Sequence, residues 1–356
     1  MSPLLPLLAL TVLAGTAVPA LAGNNPADAV DALMRDYDGR MPGASVLVLR
    51  DGRPLLRKGY GLADLEAGTP ATPVTNYRLA SVTKQFTAAS VLLLAQDGRL
   101  SLEDPVKRWL PSLPAAADPI TLRQLLSHTS GLVDYEDHVP ADFAGQLHDA
   151  DVLRILEGQD RTYFTPGSDY RYSNSGYALL ALVVGRASGS DFATFLHERI
   201  FQPLDMAHTV AHQDGVDTVA HRAFGYSAGE NGRWTRTDQS QTSAVLGDGG
   251  IYSSIDDLAR WNAALDDDRL LEARWRALLF SPATATTEPD VPHYGFGWRL
   301  NGDSQWHSGE SIGFRNVIVR WPGERLAVVV LSNRNEPEPY RLALAIAGLF
   351  RAPAAP

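Results

Sequence analysis

No cysteine occurs among the 356 residues. That absence removes structural disulfides, thiol nucleophiles, cysteine-based zinc sites and a lipoprotein anchor in one step. A chain this long buries enough apolar surface to fold without cross-links. Lysine is also scarce: of 31 basic residues, all but Lys58, Lys84 and Lys107 are arginine. The basic residues are scattered, and the formal net charge is −10. A phosphate-binding surface needs a basic patch, so nucleic acid is excluded as a partner. No Pro/Ser-rich linker, charge block or internal repeat interrupts the chain. One large domain with two lobes is the simplest organisation.

Long apolar runs are missing except at the start. Leu7 to Val18 is apolar, and Ala20-Leu21-Ala22 follows Pro19 as a small-x-small cleavage pattern. Prolines at 3, 6 and 19 leave a stretch too short to span ~30 Å of hydrocarbon. Residues 1–22 are therefore expected to be a cleaved secretory signal, although the segment before the run carries no Lys or Arg. The mature chain, 23–356, is expected to be exported, periplasmic or secreted, with no stable membrane span.

Strand and helix patterns are distributed unevenly. Ala44 to Arg50 and Pro54 to Tyr60 read as a hairpin around Asp51-Gly52. Gly295 to Leu300, Gln305 to Ser308, Phe314 to Trp321 and Leu326 to Ser332 read as strands, and Pro339 to Phe350 as a closing helix. Helical spacing marks 28–37, 81–96, 121–127, 149–156, 176–187, 191–200, 256–265 and 273–279. The expected class is α+β: an antiparallel sheet from both chain ends, flanked by helices, with a mainly helical lobe inserted. The sheet lobe is placed at about 26–80 and 220–350, and the helical lobe at about 81–219.

Three short motifs carry chemistry. In Ser81-Val82-Thr83-Lys84 the serine falls in the first turn of a helix with an apolar stripe at Val82, Phe86, Ala89 and Leu93. A bland account makes Ser81 an N-cap and Lys84 a surface residue. Against it, a cation at a helix N-terminus opposes the macrodipole. A chain that uses arginine almost everywhere has also kept here the one basic side chain that can lose its proton. In Tyr172-Ser173-Asn174, residues two apart in an extended segment face the same way. The phenol can relay a proton and the amide can orient a substrate. In His307-Ser308-Gly309, glycine in a strand marks close approach by a backbone or ligand.

In this order the three motifs resemble the signature of the serine β-lactamase and D-alanyl-D-alanine carboxypeptidase clan. Tyr-x-Asn, with His in place of the third-motif lysine, resembles the branch holding class C β-lactamases, D-aminopeptidases and related esterases. The run Leu125 to Leu132 is typical of that family, as are Phe201 to Met206, Gly249 to Ser254 and Tyr294 to Trp298. The resemblance implies a β-lactamase/transpeptidase-like fold and a covalent acyl-enzyme on Ser81, without a cofactor or metal. Lys84 and Tyr172 would share and relay a proton, with the resting base left open. Asn174 would hold the substrate amide, and the backbone N–H groups of Ser81 and Glu310 would form the oxyanion hole after Gly309. His307 would line the substrate side of the cleft.

Rival readings fare worse. Gly309-Glu310-Ser311-Ile312-Gly313 fits a nucleophile elbow, but that needs a helix next and a later histidine, and neither is present. His208 and His212 lack the glutamate of a zinc motif. A binding protein without chemistry would not be expected to keep Ser81, Lys84, Tyr172 and Asn174. The expected substrate is a D-amino-acid peptide, amide or ester, with cell-wall peptide or a β-lactam as candidate ligands. Efficient β-lactamase activity is not expected, because His307 replaces a permanent cation and Glu310 adds a negative charge. Arg315 is the candidate to restore the cation.

Overall fold

Residues 25–351 are described by the computed structural model, so the leader assigned to 1–22 lies outside the described residues. Apolar residues at alternating positions build the central sheet. Its strands are β1 (Ala44–Arg50), β2 (Arg53–Tyr60), β3 (Thr284–Ala285), β4 (His293–Tyr294), β5 (Arg299–Asn301), β6 (Ser304–Ser311), β7 (Phe314–Trp321) and β8 (Leu326–Ser332). Their order is β3-β4-β5-β6-β7-β8-β1-β2. Every neighbour is antiparallel, including β1 against β8, which joins the two ends of the chain.

Two cores flank this sheet, and successive residues feed them in turn. Leu47, Leu49, Val329 and Leu331 face one core; Val46, Val48, Val328 and Val330 face the other. That is the period of two expected of a strand buried on both faces. The second core is closed by α1 (Pro26–Leu33) and the C-terminal helix (Tyr340–Phe350), whose Tyr340 stacks on Trp306 at 3.8 Å between ring centroids.

The first core is filled by α2 (Lys84–Gln96), α3 (Asp149–Glu157), α4 (Asn174–Ser188) and α5 (Ile255–Ala264). The expected stripe on α2 is too narrow. Every residue from Lys84 to Ala95 is buried, so the helix runs through the interior rather than along its edge. The helix also starts later than its spacing suggests. Residues Ala80–Thr83 form a 3-10 turn, and Ser81 makes no capping bond. Among the described residues no single helix is long and apolar enough to cross a membrane.

Candidate active site

Ser81 lies where the helical lobe meets the end of β6. Tyr77–Arg78 pairs with Ile251–Ser253, and Leu79 N–H donates to the Ile251 carbonyl at 2.8 Å. This anchors the chain just before the 3-10 turn. Ala80 then takes a left-handed φ of 49°, a conformation that costs a residue with a Cβ about 1–3 kcal/mol. The turn is braced from the other side by Gly309. A Cβ there would lie 2.0 Å from the Leu79 carbonyl oxygen, so only glycine lets β6 approach this closely.

Lys84 is fully buried, not a surface residue. Its Nζ reaches Ser81 Oγ at 3.0 Å, Asn174 Oδ1 at 2.7 Å and the Asp248 carbonyl at 3.0 Å. As an ammonium Lys84 has a donor for each of these oxygens; as the neutral amine it can donate to Asn174 and Asp248 and turn its lone pair to the Ser81 hydroxyl. The contact to Ser81 is the distance at which a base takes a hydroxyl proton.

Asn174 opens α4 and bridges two groups. Its Oδ1 accepts from Lys84, and its Nδ2 donates to Glu136 Oε1 at 2.9 Å. The amide is thus engaged with the protein on both sides, whereas the sequence reading reserved it for substrate.

Tyr172 meets Lys84 through its ring. Lys84 Nζ lies 5.0 Å from the ring centroid, and Tyr172 Oη has no hydrogen-bond partner among the described residues. The ring packs on His128 at 4.4 Å between centroids. Tyr172 and Lys84 are therefore neighbours without the direct hydrogen bond that a shared proton would use.

His307 is fully buried, so it does not line the open side of the cleft. Its ring nitrogens contact Tyr294 Oη at 3.0 Å and the Ser308 carbonyl at 2.7 Å. Burial, aided by the nearby Arg299 and Lys84 charges, holds its pKa well below the usual imidazole value. The imidazole is a neutral support behind Tyr172, with 6.1 Å between the two rings.

Arg315 does not supply a free cation either. It donates to Glu310 Oε1 at 2.6 Å, so the two charges at the cleft edge offset each other. Glu310 and Ser81 border one cavity of about 80 Å³, together with Asn174, Asp248 and Glu136. Ser311, the rival nucleophile, closes β6 and leads by a tight turn into β7, not into a helix. Cavities of about 490 and 540 Å³ lie elsewhere on the helical lobe and do not touch Ser81.

Several contributing residues escaped the sequence. His128 takes Ser173 N–H on Nδ1 at 3.2 Å, and its carbonyl takes Arg171 N–H at 3.0 Å. This explains the Leu125 to Leu132 run: it cradles the segment carrying Tyr172 and Asn174. Burial lowers the His128 pKa well below its ordinary value, with Lys84 adding to the effect. Asp248, buried at the cavity wall, accepts from Tyr135 Oη at 3.1 Å. Burial raises its pKa well above the ordinary carboxyl range, with the Lys84 charge opposing that shift. Asp149 fixes the backbone before it by accepting from Leu246 N–H at 3.1 Å and Gly247 N–H at 2.9 Å. Its pKa is pushed up to about 6 by burial. The Tyr294 to Trp298 run packs on α2, where a Cβ on Gly297 would come within 2.6 Å of the Lys84 carbonyl.

Comparison with known proteins places this arrangement. A family model described as Beta-lactamase matches residues 27–351. Penicillin-binding protein 4* of Bacillus subtilis (strain 168) is 30% identical over 318 residues, which cover 84% of this chain and 70% of that protein. Protein flp of Staphylococcus aureus (strain MW2) is 31% identical over 314 residues, 83% of this chain and 60% of that one. The chain thus spans less than two thirds of the latter. Among solved structures, the octameric penicillin-binding protein homologue from Pyrococcus abyssi superposes with a TM-score of 0.80 at 25% identity, covering 91% of this chain and 76% of that one. D-amino acid amidase from Ochrobactrum anthropi SV3, complexed with D-phenylalanine, gives 0.80 at 25% identity, covering 92% and 100%.

Proposed function

Because the chain belongs to the Beta-lactamase family, we propose that its Ser81–Lys84 pair hydrolyses an amide or ester of D-amino-acid type through an acyl-serine intermediate. The observation that carries this reading is the buried Lys84 Nζ held 3.0 Å from Ser81 Oγ. Lys84 takes the hydroxyl proton as Ser81 Oγ attacks the acyl carbon. The backbone N–H groups of Ser81 and Glu310 receive the oxyanion. Collapse expels the amine or alcohol with a proton, and water then releases the acid and restores Ser81.

The family and the D-amino acid amidase neighbour support the substrate class. A dedicated β-lactamase is disfavoured, since the buried, neutral His307 places no charge in the third motif. The penicillin-binding relatives nonetheless support acylation of Ser81 by penicillins. An exported location rests on the leader pattern at residues 1–22.

Incubation with a fluorescent fluorophosphonate tests the reading. Wild type becomes covalently labelled and Ser81→Ala does not. Labelling that survives Ser81→Ala and disappears with Ser311→Ala would overturn it. Rapid turnover of penicillins or cephalosporins would overturn the substrate preference alone.

A further inference from the structure

Behind Lys84 lies a carboxylate that the mechanism above leaves unused. Asp149 is the first residue of α3 and is buried. The start of that helix is already served by Asp151, whose carboxylate accepts the His148 N–H at 3.0 Å. Asp149 turns instead to a segment from far along the chain. Its Oδ2 accepts from Leu246 N–H at 3.1 Å and its Oδ1 from Gly247 N–H at 2.9 Å. Two adjacent N–H groups call for two acceptors. A carboxylate has both; an asparagine amide has one, and sets its own N–H against the other donor. Burial disfavours the charge that this arrangement uses, so the fold keeps it at a cost.

The segment so held leads straight to the base. Gly247 lies against α4, where a Cβ would come within 2.3 Å of the Tyr177 carbonyl oxygen. Its own carbonyl accepts from Thr87 Oγ1 of α2 at 2.7 Å. The next carbonyl, that of Asp248, accepts from Lys84 Nζ at 3.0 Å. The amide that Asp149 holds on Gly247 and the carbonyl that Lys84 meets on Asp248 thus belong to adjacent residues. Asp149 itself does not border the cavity at Ser81; it lines the separate one of about 540 Å³. A neutral amine has two N–H groups and one lone pair, and it turns freely about its last bond. Donation to Asn174 Oδ1 and to the Asp248 carbonyl leaves the lone pair for Ser81 Oγ. A shift of that carbonyl would let the amine rotate away.

We propose that Asp149 is a positioning residue for the hydrolysis: it holds residues 246–248 so that the Asp248 carbonyl aims the Lys84 lone pair at Ser81. This rests on the acyl-enzyme reading given above, with Lys84 as the base. Asp149 touches neither substrate nor the reacting atoms. Its effect passes through two backbone N–H groups and one carbonyl, and it acts on the rate of proton removal, not on the binding of the acyl donor.

The test follows fluorophosphonate acylation of Ser81 over a range of probe concentrations. It is run at about pH 8, where the Asp149 carboxyl, its pKa pushed up to about 6, is ionised. Asp149→Asn should lower the saturating rate constant by about 10- to 100-fold, as misplacing a reacting group by up to about 1 Å does, and leave the half-saturating concentration within about two-fold of wild type. In the Lys84→Met background the same change should have no further effect, because the base it positions is gone. If Asp149→Asn does not fold, as its melting curve would show, Asp149→Ala takes its place, since the cavity of about 540 Å³ beside it gives water a route to the bared N–H groups. A folded variant that acylates at the wild-type rate overturns the assignment. So does a fall of equal size in the Lys84→Met background, or one confined to the half-saturating concentration. A wild-type protein that fluorophosphonate does not label defeats the acyl-enzyme reading, and the positioning role with it.

Discussion

Gly309→Ala would place a methyl carbon 2.0 Å from the Leu79 carbonyl oxygen. Restoring ordinary contact at 3.4 Å requires the two segments to part by roughly 1.4 Å. β6 cannot supply that movement, because it is held by β5 on one side and β7 on the other. The displacement therefore falls on the 3-10 turn, where Ala80 is already left-handed. Ser81 moves away from Glu310, which separates the two backbone N–H groups that the proposed mechanism assigns to the oxyanion. A misplacement of about 1 Å at a reacting centre costs about 100-fold in rate. The assay is the rate constant for fluorophosphonate acylation of Ser81, with circular dichroism to show that the fold persists. Gly323→Ala serves as control, since nothing lies within 4 Å of its added Cβ. An acylation rate for Gly309→Ala close to wild type would refute the view that this contact sets the oxyanion geometry.

Two further outcomes follow from buried groups. Lys84→Met keeps the volume and removes the amine; acylation of Ser81 should fall by about 10²- to 10⁴-fold while the melting temperature is retained, as stopped-flow labelling and calorimetry would show. Asp149 has a folded-state pKa raised to about 6 from 3.8, so its stabilising contribution is present below 3.8 and is lost as pH rises through 6. Asp149→Asn lacks this term, so denaturant unfolding should show the variant gaining on wild type by about 3 kcal/mol between pH 3.5 and pH 7.5. A difference that stays flat across that window would refute the assignment.

The sheet was largely legible because long buried strands announce themselves. Phe314–Trp321 and Leu326–Ser332 fall on the expected boundaries. Two-residue strands such as Thr284–Ala285 and His293–Tyr294 carry no period to read. The late start of α2 was illegible for a different reason. Ser81 looks like a cap, but Ala80–Thr83 forms a tighter 3-10 turn packed against Gly309, a contact with a segment more than 200 residues away that no local pattern shows.

At the site, residue scarcity pointed at Lys84, and the structure adds that it is buried and faces three oxygens. Burial itself leaves no mark on a motif. Nothing local distinguishes a cleft-lining His307 from one sealed behind Tyr172, or a free Arg315 from one paired with Glu310.

The pairing of β1 with β8 has a consequence for how the chain is made. β1 leaves the ribosome early, yet one of its edges waits for residues 326–332, about 280 residues later. At a synthesis rate of roughly 5–20 residues per second, that edge stays open for roughly 15 to 55 seconds. It is rich in Val and Leu, the kind of template on which strands from other chains add. Release of the nascent chain before β8 would leave β1 and β7 each with an unpaired edge and the sheet in two pieces. The sheet on which the proposed site is built therefore becomes continuous only once residues 44–50 and 326–332 have met, which ties completion of that site to one of the last pairings the chain can make.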